Sequence, residues 1–417
     1  MDIGPKPSAQ SGITRIGITP TPPPDSKSAP AIKPNATRNL NLDITRAIAV
    51  ILVVGVHFHT KLPNGFVQKL AAAWNEIGPF GVHLFFVLSG FLVGGLLLDE
   101  LNKYGQINVV RFLIRRGFKI YPGYYLFISY CIFFPAVKLL PDVHAAIDSL
   151  GDHLKSLTPN LFFIQNYIGQ NPEGHTWSLA VEEHFYFLLP CILLLLIRAK
   201  LSIKLLGALP LFLMVCLLLR LWAQSSGASL RSMLWWTHLH IDALFLGVWL
   251  NYIMRQDVSV ARWIRGNSRV LLFTGMICVL AFYLIPLGRE IRLTAGYTVT
   301  YLSACAIVAG VVCWQPRSHD LPSKPDKISL IPRTLGVIGR SSYSIYLWHI
   351  TVLGICERLF GGLFEKAGFP AGLSWILVAG ITLMFAITVG ILLTRFVELP
   401  FLMMRDRFFP SRASAVR

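Results

Sequence analysis

The stretch LDITRAIAVILVVGVHFHT, residues 42–60, sets Asp43, Arg46, His57 and His59 within or at the edges of an apolar run. A charged side chain near the middle of a bilayer costs about 2.5–3.5 kcal/mol on insertion scales, so these residues need a reason to be there. Arg46 and His57 are eleven positions apart. On a helix they come round to within about 20° of each other after three turns, roughly 16 Å apart along the axis. A guanidinium at one end suits an anion. An imidazole at the other suits proton transfer, because it titrates near neutrality. The structural alternative is that Arg46 snorkels to the interface and His57 bonds a neighbouring helix. The stretch alone leaves both open.

Five further stretches place polar chemistry in apolar surroundings. GPFGVHLFFVLSGFLVGGLLL, residues 78–98, carries His83 and Ser89 among glycines that suit close helix approach. NVVRFLIRRGFKIYPGYY, residues 108–125, sets Arg111, Arg115 and Arg116 at helical spacing. They serve as a topology signal or as a grip on phosphates. HTWSLAVEEHFYFLLP, residues 175–190, pairs Glu182 and Glu183 with His175 and His184 beside Trp177 and Ser178. Its spacing is not that of the zinc helix HExxH, so no metal is expected. LGVIGRSSYSIYLWH, residues 335–349, ends on His349, and RFVELP, residues 395–400, offers Arg395 and Glu398 as a pair at i,i+3. HLHIDALFLGVWL, residues 238–250, adds His240 and Asp242 as a polar pair. Each has a dull explanation alone. Together they place Arg46, His57, His83, Glu182, Asp242 and His349 at or near bilayer depth, where ionisable groups face cavities and mark function.

The elements that must position these residues are membrane helices. Of the 417 residues 54% are hydrophobic and 14% charged, against about 25% charged in soluble domains. Apolar runs near the ~20 residues a span requires fall at about 42–60, 78–98, 121–140, 179–197, 203–222, 237–254, 270–287, 294–314, 341–360 and 373–394. The expected fold is therefore all-α, a polytopic bundle of about ten transmembrane helices. Residues 1–40 hold TPTPPPD and few large hydrophobes, which predicts a disordered Pro-rich tail. Residues 41–400 form the membrane domain and 401–417 a basic tail. The net charge of +17 does not indicate nucleic acid, because the basic residues sit in short loops. One set of loops is rich in Lys and Arg and the alternate set sparse, which puts both termini in the cytoplasm. The seven cysteines lie in or beside apolar runs without metal-site spacing and read as small core residues.

Six blocks in order carry a resemblance: NLDITRAIAVILVVGVH (41–57), GVHLFFVLSGFL (81–92), RFLIRRGFKIYP (111–122), TWSLAVEEHFYFLLP (176–190), GRSSYSIYLWH (339–349) and RFVELP (395–400). The chain resembles the acyltransferase-3 family of integral membrane acyltransferases, which O-acylate surface carbohydrates, some lipids and some macrolides. The resemblance covers about 41–400. It implies a ten-helix enzyme of a bacterial inner membrane that draws acyl-CoA, with acetyl-CoA as the expected donor, from the cytoplasm and keeps no bound cofactor. It implies that His57 is the catalytic histidine, that Arg46 is essential for donor binding or site architecture, that the basic motif before the third helix falls on Arg115 and Arg116, and that the tryptophan–serine–leucine motif with its glutamate falls on Trp177, Ser178 and Glu182. The family often has aspartate where His83 stands, so tuning of the catalytic histidine is expected to differ here. Some members carry an appended esterase-like domain, which a chain ending at residue 417 is expected to lack.

The expected function is acyl transfer to a hydroxyl of a carbohydrate or lipid-linked sugar. His57 would serve as general base or transient acyl carrier, and Glu182 would orient an imidazole or bind sugar hydroxyls from the outer side. His83, Ser89, Trp177, Ser178, Glu183 and His349 would shape the acceptor side. A polytopic transporter or proton-coupled exporter is the rival, since intramembrane histidines fit that too.

Overall fold

A computed structural model of the chain describes residues 39–58, 65–137, 143–168, 173–314 and 330–410. His59, the segment 1–38 and the last seven residues lie outside them.

Ten long helices correspond one to one with the ten apolar runs: α1 (Leu40–Val56), α2 (Phe80–Tyr104), α3 (Val109–Val137), α4 (Trp177–Arg198), α5 (Leu209–Ser225), α6 (Ile241–Gln256), α7 (Ser268–Leu284), α8 (Ala295–Cys313), α9 (Ser342–Phe360) and α10 (Ala371–Leu393). No strand occurs among the described residues, so the architecture is all-α. By length and composition six of the described helices can cross a bilayer, seven if the pair Val258–Gly266 and α7, bent by 70°, is one span. The difference from ten has physical causes. α1 and α6 have 17 and 16 residues, short of a full span. α3 starts twelve residues before the expected 121 and carries Arg111, Arg115, Arg116 and Lys119. Its prolines, Pro122 and Pro135, lie inside the helix without ending it. Between α4 and α5 the expected tight turn is longer, with a 3₁₀ segment at Ile203–Ala208. Further helices fill the connections: Phe66–Ile77, Val143–Leu161 (as long as α8 but carrying Asp148, Asp152 and Lys155), Leu330–Arg340 and Leu399–Phe408. The last of these falls in the segment expected to be a tail.

The bundle is held at seams where backbones nearly touch, which suits membrane helices because lipid supplies no hydrophobic drive between them. α2 lies along α6. A Cβ at Gly90 would fall 1.9 Å from the Leu244 carbonyl oxygen, and one at Gly247 2.2 Å from that of Val87. Only glycine fits at either place. α1 packs against Leu330–Arg340, and α9 against α10.

A fully buried ion pair pins a second seam. Arg220 on α5 and Asp242 on α6 both show 0% exposure. Arg220 Nη2 lies 2.9 Å from Asp242 Oδ2 and donates to Thr298 on α8. Its Nη1 donates to the Leu239 carbonyl. Asp242 is thus paired with Arg220, not with His240 as the sequence pattern proposed; His240 bonds Tyr301 Oη and the Met233 carbonyl. Of the cysteines, Cys131, Cys216, Cys305 and Cys356 are buried as expected, whereas Cys191 is exposed on α4, facing outward rather than into the core.

Candidate functional site

α1, α2, α3, α4 and α9 converge on a cavity of about 120 Å³. Its polar lining comes from Arg46, Ser89, Arg116, Lys119, Ser178, Glu182, Glu183, Tyr186, Tyr343 and Tyr346. Phe85, Phe86, Leu88 and Leu92 supply an apolar wall. The residues come from five helices far apart in sequence, which is how a bundle builds a site between its members.

Charge and hydroxyls are ordered inside it. Tyr186 Oη donates to Glu182 Oε2 at 2.6 Å, one helical turn away on α4. Having spent its proton there, Tyr186 accepts from Ser89 Oγ at 2.8 Å. The Arg116 guanidinium stands 5.5 Å from the Tyr186 ring centre, within cation–π range. Glu183 accepts from Tyr121 Oη at 3.2 Å. Arg46 is half-buried and lies 3.4 Å from the buried Asp43, whose other oxygen is 3.8 Å from Arg340. That bond fixes where the Arg46 side chain leaves the helix.

Arg115 and Arg116 diverge. Arg116 enters the cavity, while Arg115 binds Asp406 at 3.2 Å and the Phe409 carbonyl, both from the C-terminal end of the described chain. Neighbours on a helix point about 100° apart, so only one of the pair faces inward.

His57 caps the C-terminus of α1 and is not among the residues lining the cavity. It joins an imidazole cluster instead. Its ring centre is 5.1 Å from that of His349, which is 5.3 Å from that of His175. Tyr346 connects cluster and cavity. Its ring is 5.7 Å from each of His175 and His349. Its hydroxyl donates to the His175 carbonyl at 2.6 Å, and Ser178 Oγ bonds that same hydroxyl at 2.6 Å. Arg46 and Glu182 therefore stand at one end of a polar path and His57 at the other.

His83 is elsewhere. It packs edge-on against Tyr297 and Tyr301, beside the Arg220–Asp242 pair. Trp177 lies between the two regions, 5.1 Å from the His240 ring and 5.8 Å from Phe86. His184 bonds Thr237 Oγ1 at 2.7 Å and takes no part in the cavity. Glu398 accepts from Ser344 on α9 and from Thr394 rather than pairing with Arg395.

Sequence reasoning missed Tyr186, Tyr346 and Arg220. Each carried a signal: Tyr346 sits one turn before His349, Tyr186 one turn after Glu182, and Arg220 is an unbroken run's lone cation. It also missed Gln165 and Asn166, buried side chains that bond Thr176 and Thr237 and tie the 162–168 loop to the turns that enter α4 and α6.

Comparison with known proteins adds three findings. A family model described as an acyltransferase domain matches residues 39–395. A provisionally named O-acetyltransferase of Staphylococcus aureus strain COL is 26% identical over 383 residues, covering 86% of this chain and 56% of the relative. O-acetyltransferase OatA of S. aureus strain NCTC 8325 is 25% identical over 330 residues, covering 75% of this chain and 50% of the relative. The chain thus spans about half the length of the curated relatives it matches. No solved structure matches it.

Proposed function

The chain belongs to this acyltransferase family, and on that footing we propose that it is a membrane O-acyltransferase moving an acetyl group from acetyl-CoA to a hydroxyl of a carbohydrate or lipid-linked sugar. It works in a bacterial plasma membrane with both termini in the cytoplasm. One observation carries the reading: three cations, Arg46, Arg116 and Lys119, stand in a cavity beside Glu182, joined through Ser178 and Tyr346 to the His57 cluster. Relatives named O-acetyltransferases support the same chemistry.

The cations hold the anionic donor, Arg116 and Lys119 as charges and Arg46 through its planar fork. The thioester reaches toward His57. His57 takes the proton of the acceptor hydroxyl, the oxygen bonds to the acyl carbon, and the carbon–sulfur bond breaks. The thiolate leaves and receives that proton from the imidazolium, giving CoA and the ester. Glu182, held by Tyr186, orients acceptor hydroxyls.

The test incubates membranes containing the protein with acetyl-labelled acetyl-CoA. The expected result is CoA release matched by base-labile label in a glycan or glycolipid fraction. Neither release nor labelled product, with a solute moved across the membrane instead, would establish a transporter. Within the same assay Arg46→Lys keeps the charge and loses the fork. Its expected effect is a rise of about tenfold in KM for acetyl-CoA, equivalent to ~1.4 kcal/mol, with membrane insertion unchanged.

A further inference from the structure

Two of the three clustered imidazoles are fixed in complementary ways. His349 shows 1% exposure and His175 6%. His349 Nδ1 faces the Tyr346 carbonyl oxygen one turn back on α9. A carbonyl only accepts, so that nitrogen carries the hydrogen and Nε2 carries the lone pair. His175 is held the other way: Nε2 donates to the Leu347 carbonyl at 3.0 Å, which leaves the lone pair on Nδ1. Both lone-pair nitrogens, His349 Nε2 and His175 Nδ1, are buried with no hydrogen-bond partner among the described residues. An unsatisfied buried acceptor is costly and rare. Two of them in rings 5.3 Å apart cannot bond each other, because neither has a hydrogen on that side. Each lacks an N–H donor.

His57 stands where the donor is needed. It comes from α1, which packs on α9, and its ring is half-buried at the helix end. The two rings, centres 5.1 Å apart and tilted by 52°, are not hydrogen-bonded as they stand, but that separation accommodates one N–H···N bond of about 3 Å plus the reach from each ring centre to its edge once the His57 ring turns. We infer that His349 is a positioning residue for His57: its Nε2 accepts one ring N–H of His57 and so leaves the other His57 nitrogen unprotonated for the acceptor hydroxyl. The inference rests on the reading of His57 as the base. It gives a neutral imidazole the orienting task that a carboxylate performs in serine-hydrolase triads. Tyr346, carrying both the His349-bound carbonyl and the hydroxyl on Ser178, holds the orienting ring in register with the cavity.

The experiment compares His349→Phe, His349→Gln and His57→Ala with the natural protein, reading CoA release from acetyl-CoA in membranes at matched protein amounts. Phenylalanine keeps the ring volume and removes the lone pair; glutamine restores an acceptor oxygen. The expected result is that His349→Phe lowers kcat by about 10²–10⁴-fold, the range seen when an orienting partner is lost, with KM for acetyl-CoA unchanged. His349→Gln is expected to recover at least about tenfold of that loss. A parallel readout is the rate at which diethyl pyrocarbonate modifies His57, followed by peptide mass spectrometry; it should change in His349→Phe and return toward natural in His349→Gln. Equal activity in the Phe and Gln variants, whether both full or both lost, overturns the inference. Full activity in His57→Ala overturns instead the reading of His57 as the base.

Discussion

Replacing His57 by alanine is expected to cut acetyl transfer by 10²–10⁴-fold, the usual toll of removing a proton-transfer group, while the protein still inserts into the membrane. The variant should insert because His57 is a half-buried capping residue at the end of α1 rather than a member of the helix. The measurement is labelled acetyl incorporation at matched protein amounts, with KM for acetyl-CoA determined alongside. On the proposed reading the donor is held by Arg46, Arg116 and Lys119, which line the cavity at the other end of the polar path, so KM should hold while kcat falls. Natural activity in this variant would remove His57 from the reaction.

The second large effect concerns stability. Arg220→Leu is expected to destabilise the bundle by about 3–5 kcal/mol, because it strands the Asp242 carboxylate in a site with no access to water. Asp242→Leu should cost a similar amount for the mirrored reason. The double variant Arg220→Leu with Asp242→Leu should recover most of the loss, since apolar replacements of a buried pair are often neutral or better. Thermal unfolding of the detergent-solubilised protein, read as a double-mutant cycle, measures this directly. Additive losses would mean that the two side chains do not depend on one another.

The sequence made the helices readable because an apolar run long enough to cross lipid has few other uses. Ten runs became ten helices, with ends shifted by up to a dozen residues where charged turns continued the helix, as at Arg111–Lys119 of α3. It also showed which residues are costly in lipid, and Arg46, Glu182 and Ser178 do meet in one cavity. Partners were harder to read, because they depend on which helices cross. Asp242 binds Arg220 from another helix rather than its neighbour His240. Glu398 reaches Ser344, 54 positions away, rather than Arg395 one turn back. Arg115 and Arg116 are adjacent in the chain, yet helix geometry sends one to Asp406 and the other into the cavity over the Tyr186 ring. Nothing in the local pattern separates them. His83 shows the same limit: its type suited the site, but its helix face turns it toward Tyr297 and Tyr301.

A polar hollow inside a membrane carries a hazard that a soluble protein escapes, since an unbroken file of water would conduct protons and run down the gradient across the bilayer. Tyr346 stands at the junction between hollow and histidines. Its one hydroxyl hydrogen is spent on the His175 carbonyl, and that of Ser178 is spent on Tyr346. That run of hydroxyls ends on a backbone carbonyl, which has no hydrogen to pass on, so the hydrogen-bonded path from the hollow stops short of the imidazole nitrogens.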